Sequence, residues 1–435
     1  MLLLGRTILT FCAMLFFVLL TACASYSPSS STNIGAVPNQ SEEPTQEATQ
    51  SNPVMVTSYV GPSSIAAIKD GYYQVLPNPQ GGCNIVYTDL ASHQTIFLCS
   101  RANCLHSDDT CTSWFSSVTV NLFVDSIESN LFCVSVDSNG EFLWKMELNG
   151  GDRQLIYRCK TGESFRDAFA MDGDFLYFTI AVADGRTGGG GKELRRLNLT
   201  NGNNETILEY GNSDWLFSAY SGHLLFLFHE GTEFTYRSYN LDTHTFEDLY
   251  TYYSTGSATD CFARPNGQLL YIFEPVNSEN AKISVLDLLS GHCSLLTEQF
   301  PYFGAENIVV GGFFDGYMSV SIWNINSHDT QAKQYLVDIN NGTVYPIELT
   351  FEQGDITMPR EVVAVMPDWF VITAGIVSQE VTLTSSDGTP YSSVIDCMSY
   401  ALIRKEDYLH QRPNFILADA TKLYDINSNA ENAIS

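Results

Sequence analysis

The sequence predicts an all-β chain folded as a seven-bladed β-propeller of four-stranded antiparallel blades. Three observations carry the prediction: a turn-and-strand element that recurs along the chain, a polar hairpin after each copy, and the lack of any convincing amphipathic helix of three turns.

The recurring element is a small turn, often with glycine, followed by an apolar strand. It reads KDGYYQVL at Lys69, ESNLFCVSV at Glu128, MDGDFLYFTIAV at Met171 and YSGHLLFLF at Tyr220. It returns as PNGQLLYIF at Pro265, FDGYMSVSIW at Phe314 and MPDWFVITAG at Met366, which makes seven copies. Aligned on Leu131, Leu176, Leu225, Leu270 and Met318, the copies lie 45, 49, 45 and 48 residues apart. Each copy leads into a strand, a polar hairpin and another strand, as in FLWKMELNGGDRQLIYRC, ELRRLNLTNGNNETILEY and QYLVDINNGTVYPIEL. Asn-Gly and Ser-Gly pairs in these hairpins supply the positive φ that tight turns need. Alternating apolar and polar residues mark half-buried antiparallel pairing. Four strands in each unit of about 45 residues match a propeller, whose radial closure protects the sheet edges of a long all-β chain. The last unit is less regular. It ends in SYALIRKEDYLHQRPNFIL and carries an insertion, SQEVTLTSSDGTPYSSVIDC, expected to form an extra hairpin. The competing fold, two β-sandwich domains, fits the regular period poorly, and no linker-like segment interrupts the array.

The N-terminus has a different character. MLLLGRTILTFCAMLFFVLLTAC carries one basic residue, Arg6, an apolar run from Ile8 to Leu20, and then Leu20-Thr21-Ala22-Cys23. This stretch resembles a bacterial lipoprotein signal peptide, in which the cysteine after the cleavage point is acylated. The resemblance implies removal of residues 1–22, lipidation at Cys23 and a mature chain on the extracytoplasmic face of a cell membrane, held by its acyl chains. The run is short for a membrane span. Residues 23–56 hold the lipidated cysteine and a Ser, Thr, Pro, Gln and Glu-rich stretch with few large apolar side chains, expected to be a flexible tether. Residues 57–435 are expected to form the propeller.

Charge narrows the partners. Asp and Glu outnumber Lys and Arg by 49 to 21, a net charge of −28, and loss of Arg6 would make it −29. Such a surface repels nucleic acid and anionic lipid, so no polyanion-binding role is expected.

Several motif-like stretches fail on inspection. DGRTGGGGKEL at Asp184 lacks the first glycine of a phosphate-binding loop, because Arg186 stands there, and Glu193 follows Lys192 in place of Ser or Thr. SSDGTPY at Ser385 is one defective copy of an Asp-box and reads as an Asp-Gly turn. No Gly-x-Ser-x-Gly, His-Glu-x-x-His or kinase signature occurs. Carboxylates abound, yet sequence distance cannot pick a catalytic pair from them.

One cluster stands out. CSRANCLHSDDTC places Cys99, Cys104, His106 and Cys111 within thirteen residues. Cys-x4-Cys-x-His-x4-Cys is the donor set of a Cys3His zinc site, and one loop can wrap such an ion without long-range closure. Four protein ligands would leave no open position, so the expected role is structural. A disulfide, or free thiols, are the other readings. The nine cysteines after Cys23 are an odd number, so a complete disulfide framework would leave one thiol over. Cys133, inside an apolar strand, reads as a small core residue. FLCSRANCLHSDDTC also resembles a segment of uncharacterised lipoproteins of anaerobic Gram-positive gut bacteria, which pair a similar Cys/His element with repeated propeller strands. The family pattern often has proline near the second cysteine, and Arg101-Ala102-Asn103 has none. The resemblance implies an anaerobic setting, which disfavours stable disulfides.

In a propeller the connections from each outer strand to the next inner strand share one face. Here several carry aromatics and acids: Trp215, Tyr252, Tyr253, Tyr302 and Phe303 are the candidate ligand-binding residues, with Arg166, Asp167, Asp214 and Glu306 nearby. Aromatic platforms beside carboxylates suit a sugar ring or a peptide. The competing reading packs these side chains between blades. The expected function is a membrane-anchored, non-enzymatic binding protein for a glycan, peptide or protein ligand. The alternative is a carbohydrate-active enzyme, a glycoside hydrolase or polysaccharide lyase, on the same scaffold.

Overall fold

The computed structural model describes residues 51–418, apart from 59–60, 184–189, 255–260, 278, 302–306, 324–332, 355 and 386–387, together with residues 420, 423 and 424. The signal-like segment, Cys23, most of the expected tether, Tyr302, Phe303 and Glu306 therefore lie outside the described residues, as does most of the glycine loop at Asp184.

The described strands form eight antiparallel sheets. Seven hold at least four strands each, and within each the four main strands follow chain order. The first spans residues 65–97, with Trp114–Phe115 pairing on Cys83–Asp89; the second spans 119–158 and the third 163–211. The fourth spans 215–253, the fifth 262–301, the sixth 307–347 and the seventh 362–417. The eighth is a two-stranded hairpin, Thr350–Gln353 with Ile356–Pro359, between the sixth and seventh.

Each apolar copy read from the sequence is the second strand of a sheet. The turns before them show why small polar residues recur there. Ser221-Gly222 has φ values of 43° and 82°, and Asp315-Gly316 has 48° and 80°, the paired positive φ of a type I′ hairpin. One alignment in the sequence was off by a residue. Leu131, Leu176, Leu270 and Met318 are each the second residue of their strand and face the preceding sheet, but the equivalent in the fourth sheet is Leu224. Leu225 packs instead toward the fifth sheet. In a strand of period two, a slip of one residue exchanges the faces. Both leucines are fully buried, so composition could not reveal the slip.

Both faces of the inner strands are covered, and the core is divided into layers between sheets. Leu131 and Cys133 of the second sheet meet Tyr73 and Ile85 of the first. Leu176 and Phe178 of the third meet Phe132 and Leu143 of the second. Comparable layers join third to fourth, fourth to fifth, fifth to sixth and sixth to seventh. A further layer joins Val371, Tyr400 and Leu402 of the seventh to Ile65 and Tyr72 of the first, which closes the succession into a cycle. The fourth strands are the wet edge: Cys293–Pro301 is mostly exposed along its length.

Two devices close the seam between seventh and first sheets. The insertion expected as an extra hairpin is paired as one, and it continues the two middle strands of the seventh sheet, Trp369–Thr384 and Pro390–Arg404. Its arm reaches the first sheet, where Thr382 N–H donates to Pro79 O at 2.9 Å. The chain after Phe415–Leu417 then crosses over, and Ala420, Leu423 and Tyr424 cover Leu76 and Val86. Tyr424 Oη donates to Asn84 Oδ1 at 3.1 Å.

The last residues of the stretch expected as a tether, 23–56, are paired into a sheet instead. Val54–Met55 pairs with Glu163–Asp172, the first strand of the third sheet, and Val56 N–H donates to Phe169 O at 2.9 Å. Phe169 N–H in turn donates to Thr57 Oγ1 at 2.8 Å. Alternating valine, methionine and threonine suit a sheet edge, although the polar residues before them read as linker.

Candidate metal centre

The connection from the first sheet to the second, residues 98–113, builds the principal site. Its foundation is a pair of buried asparagines. Asn78 and Asn84 side-chain amides donate to His106 O at 2.8 and 3.0 Å, and Asn84 also donates to Ser113 Oγ at 3.0 Å. Above them the loop reverses through Asn103 and His106, both at positive φ, 57° and 56°. Asparagine and histidine are among the non-glycine residues that tolerate that region best. Arg101 Nη1 donates to Thr110 O at 2.6 Å across the loop mouth, and Cys111 N–H donates to Asp108 O at 3.0 Å.

These turns bring Cys99, Cys104, His106 and Cys111 together, with one ligand atom from each lying within 4.8 Å of all the others. A tetrahedral zinc with sulfur at about 2.3 Å needs ligand sulfurs about 3.8 Å apart, so little inward motion would seat an ion. His106 Nδ1 lies 3.3 Å from Cys111 Sγ, and the imidazole stacks on Phe97 with centroids 4.2 Å apart. Backbone N–H groups of Arg101 and Thr112 point at Cys99, and that of Ser113 at Cys111, as expected where thiolates are to be held. Burial raises the Cys99 thiol, but those hydrogen bonds and those from Cys111 and Cys104 outweigh it and leave it below the ordinary thiol value. Burial pushes the Cys111 thiol up to about 11. Burial also lowers His106, which favours the neutral imidazole that binds metals. The four residues singled out by spacing are thus one cluster able to hold a metal ion. All nine cysteines among the described residues are free thiols. Cys133 is fully buried in the core.

The candidate ligand-binding aromatics fare differently. Tyr252 is buried between the fourth and fifth sheets, stacked on Phe234 with centroids 5.1 Å apart, so its ring is structural. Trp215 is half-buried, with Lys192 Nζ 5.3 Å from its ring centroid. Tyr253 is 66% exposed, the one ring of these three that solvent reaches freely.

Lys192 belongs to a polar cluster between the third and fourth sheets. Its ammonium donates to both Asp167 oxygens at 3.0 and 3.1 Å and to Asp214 O at 2.6 Å, and both side chains of the pair are 5% exposed. Tyr210 Oη donates to Asp167 at 3.4 Å. Asp167 sits at a break in the strand register with φ 56°. Burial raises the Asp167 carboxyl and lowers the Lys192 ammonium, while each opposes the other's shift. The Asp214 carboxylate is tied by Gly211 and His229 N–H groups, both at 3.0 Å. The cluster reads as structural, because its charges are spent on one another and on backbone.

Sequence reasoning missed a cavity of about 250 Å3 beside the metal cluster. Trp114, Phe142 and Trp144 line it, with Asp109, Asp137 and Arg153. Trp114 is pinned by its Nε1 donating to Gly81 O at 3.1 Å, and its ring lies against Gly82 so closely that a Cβ there would stand 3.1 Å away. Arg153 donates to Thr112, Trp114 and Asp109 carbonyls and lies over the Phe115 and Trp144 rings at 4.8 and 5.5 Å. The sequence signal was faint: Trp114 follows the Cys/His cluster, whereas Phe142 and Trp144 come from a strand of the next sheet.

No protein-family model matches the chain, and no curated protein matches it. Solved structures do. A prolyl endopeptidase structure aligns with a TM-score of 0.50 at 10% identity, over 82% of this chain and 55% of that one. The β-propeller domain of the trilobed protease from Pyrococcus furiosus gives 0.44 at 11% identity, over 78% and 98%. An oligogalacturonate lyase in complex with manganese gives 0.42 at 13% identity, over 79% and 90%. At these identities the likeness concerns fold alone; the cycle of four-stranded antiparallel sheets in this chain is itself of the β-propeller type.

Proposed function

We propose that the chain is a lipid-anchored, extracytoplasmic seven-bladed β-propeller of a bacterial cell envelope that binds a ligand on the face carrying its inter-blade connections. In this reading residues 1–22 are a signal peptide, Cys23 bears the lipid, and the tether ends near Val54. The observation that carries the binding reading is the four-residue Cys/His cluster: it organises one long connection on that face, where a ligand-binding loop needs a rigid base. Zinc held by Cys99, Cys104, His106 and Cys111 would act as a structural clip, since four protein ligands complete a tetrahedron.

The second reading is a carbohydrate-active enzyme on the same scaffold. Asp109 and Asp137 border one cavity, as the paired carboxylates of a glycosidase do. The proteins named above include enzymes, so the fold accommodates catalysis.

The test uses the full-length protein made in a bacterial host. Globomycin-sensitive processing and membrane retention that is lost in Cys23→Ser support the anchor, whereas unchanged fractionation refutes it. A glycan array and a cross-linking pull-down with the purified protein then separate sugar from protein ligands. Turnover of a polysaccharide, lost in Asp109→Asn or Asp137→Asn, would replace binding with catalysis.

A further inference from the structure

We propose that the cavity beside the Cys/His cluster is a subsite for one neutral pyranose ring, walled by Trp114, Phe142 and Trp144, with Asp109 and Asp137 accepting its hydroxyls. This rests on the reading of the protein as a binding propeller with a metal-clipped loop.

Size comes first. About 250 Å3 lies below the roughly 300–1,000 Å3 typical of drug-sized ligand sites, so a single ring fits better than an extended chain. The wall is next. A pyranose has an apolar face of C–H bonds and a rim of hydroxyls, so it pairs with an aromatic surface beside hydrogen-bonding groups. Three aromatic side chains and two carboxylates supply both here.

Charge then excludes the competitors. A cationic ligand would have to share the cavity with the Arg153 guanidinium, a fixed positive charge that lines it and lies over Phe115 and Trp144. An anionic ligand would meet Asp109 and Asp137, while the guanidinium lining the cavity, that of Arg153, already donates to three backbone carbonyls. A neutral ring avoids both penalties.

The site also depends on the clip. Asp109 and Trp114 stand on either side of Cys111, and Trp114 N–H donates to Cys111 O at 3.3 Å. Arg153 binds the carbonyls of that same stretch from the second sheet. A metal at the cluster therefore fixes one wall of the cavity against the other, which is contributed by the second sheet.

The experiment is a titration of full-length protein, in a detergent without a sugar head group, with glucose, galactose, mannose and N-acetylglucosamine. Tryptophan fluorescence and saturation-transfer NMR report binding, and glucosamine and glucuronate serve as charged controls. At least one neutral sugar should bind in the millimolar range, more tightly than either charged control. Asp137→Asn, which keeps an acceptor for the Asn139 N–H, should weaken it about tenfold without moving the melting temperature, and Trp114→Phe, which also gives up the hydrogen bond to Gly81 O, should weaken it about tenfold with a small drop in melting temperature. No response to any neutral sugar, or binding unchanged in both variants, overturns the subsite. Metal content is measured on the same samples. His106→Ala should lose the metal and weaken the sugar. Sugar binding that needs Asp137 in a protein without metal sustains the subsite and refutes the clip; bound metal without sugar binding sustains the clip and refutes the subsite.

Discussion

Replacing Lys192 by methionine tests whether the cluster between the third and fourth sheets is dry. The ammonium makes two bonds to Asp167 at 3.0 and 3.1 Å, and both side chains are 5% exposed. Removing one member of such a pair leaves an uncompensated buried charge, worth about 3–5 kcal/mol. Tyr210 Oη and the Leu216 N–H still reach the carboxylate, so the lower end of that range is expected. The double variant, Asp167→Asn with Lys192→Met, removes both charges and should recover most of the loss; asparagine also suits the φ of 56° there. The pH dependence has a definite sign. Burial raises Asp167 above its unfolded value, and loss of Lys192 removes the ion pair that restrains that rise. Stability from the neutral acid is complete below the unfolded value of about 3.9 and is lost as pH rises through the folded value. The deficit of Lys192→Met relative to the parent should therefore be largest at neutral pH and shrink on acidification. Urea unfolding from pH 7 down to pH 5 measures it, provided the denaturant slope is unchanged. A loss below about 1 kcal/mol, or a deficit that does not change with pH, would show that water reaches the pair and refute the argument.

Other predictions address the clip and the seam. Native mass spectrometry should show one zinc that a chelator removes, with free thiols appearing as it leaves, whereas a metal-free mass short by two hydrogens per bridge would make the cluster a disulfide staple. Tyr424→Ala removes a ring that lies 5.5 Å from Phe97 and caps the seventh-to-first seam. The cost should approach the lower end of the roughly 3–5 kcal/mol for large aromatic truncations, with faster hydrogen exchange in Cys83–Asp89. Gly82→Ala should cost about 1–3 kcal/mol and lift Trp114 off its support, because a Cβ would stand 2.2 Å from Phe115 O at a φ of +74°. Circular dichroism and the sugar titration read the two effects separately.

The sequence was informative where physics is local. Turn chemistry and strand alternation fix each hairpin from within a dozen residues, so all seven second strands were legible. The Cys/His cluster was legible for the same reason: its four donors lie on one loop, and their spacing alone lets them converge. The fourth-sheet slip shows the limit of such reading, since Leu224 and Leu225 are both buried and only the identity of the neighbouring sheet tells them apart.

By itself, then, the sequence determined an all-β repeat, its strand order and a clustered donor set, because hydrogen-bonded pairing and loop closure act over short stretches of chain. Tertiary structure decided the rest. It buried Tyr252 between sheets, set Lys192 against Asp167 across 25 residues, and drew Val54–Met55 out of a linker-like stretch onto a strand more than a hundred residues away. It also formed the cavity, whose Trp114 and Trp144 come from different sheets. Such contacts depend on how twisted sheets pack face to face, and the side chains that meet there carry no mark in their local sequence.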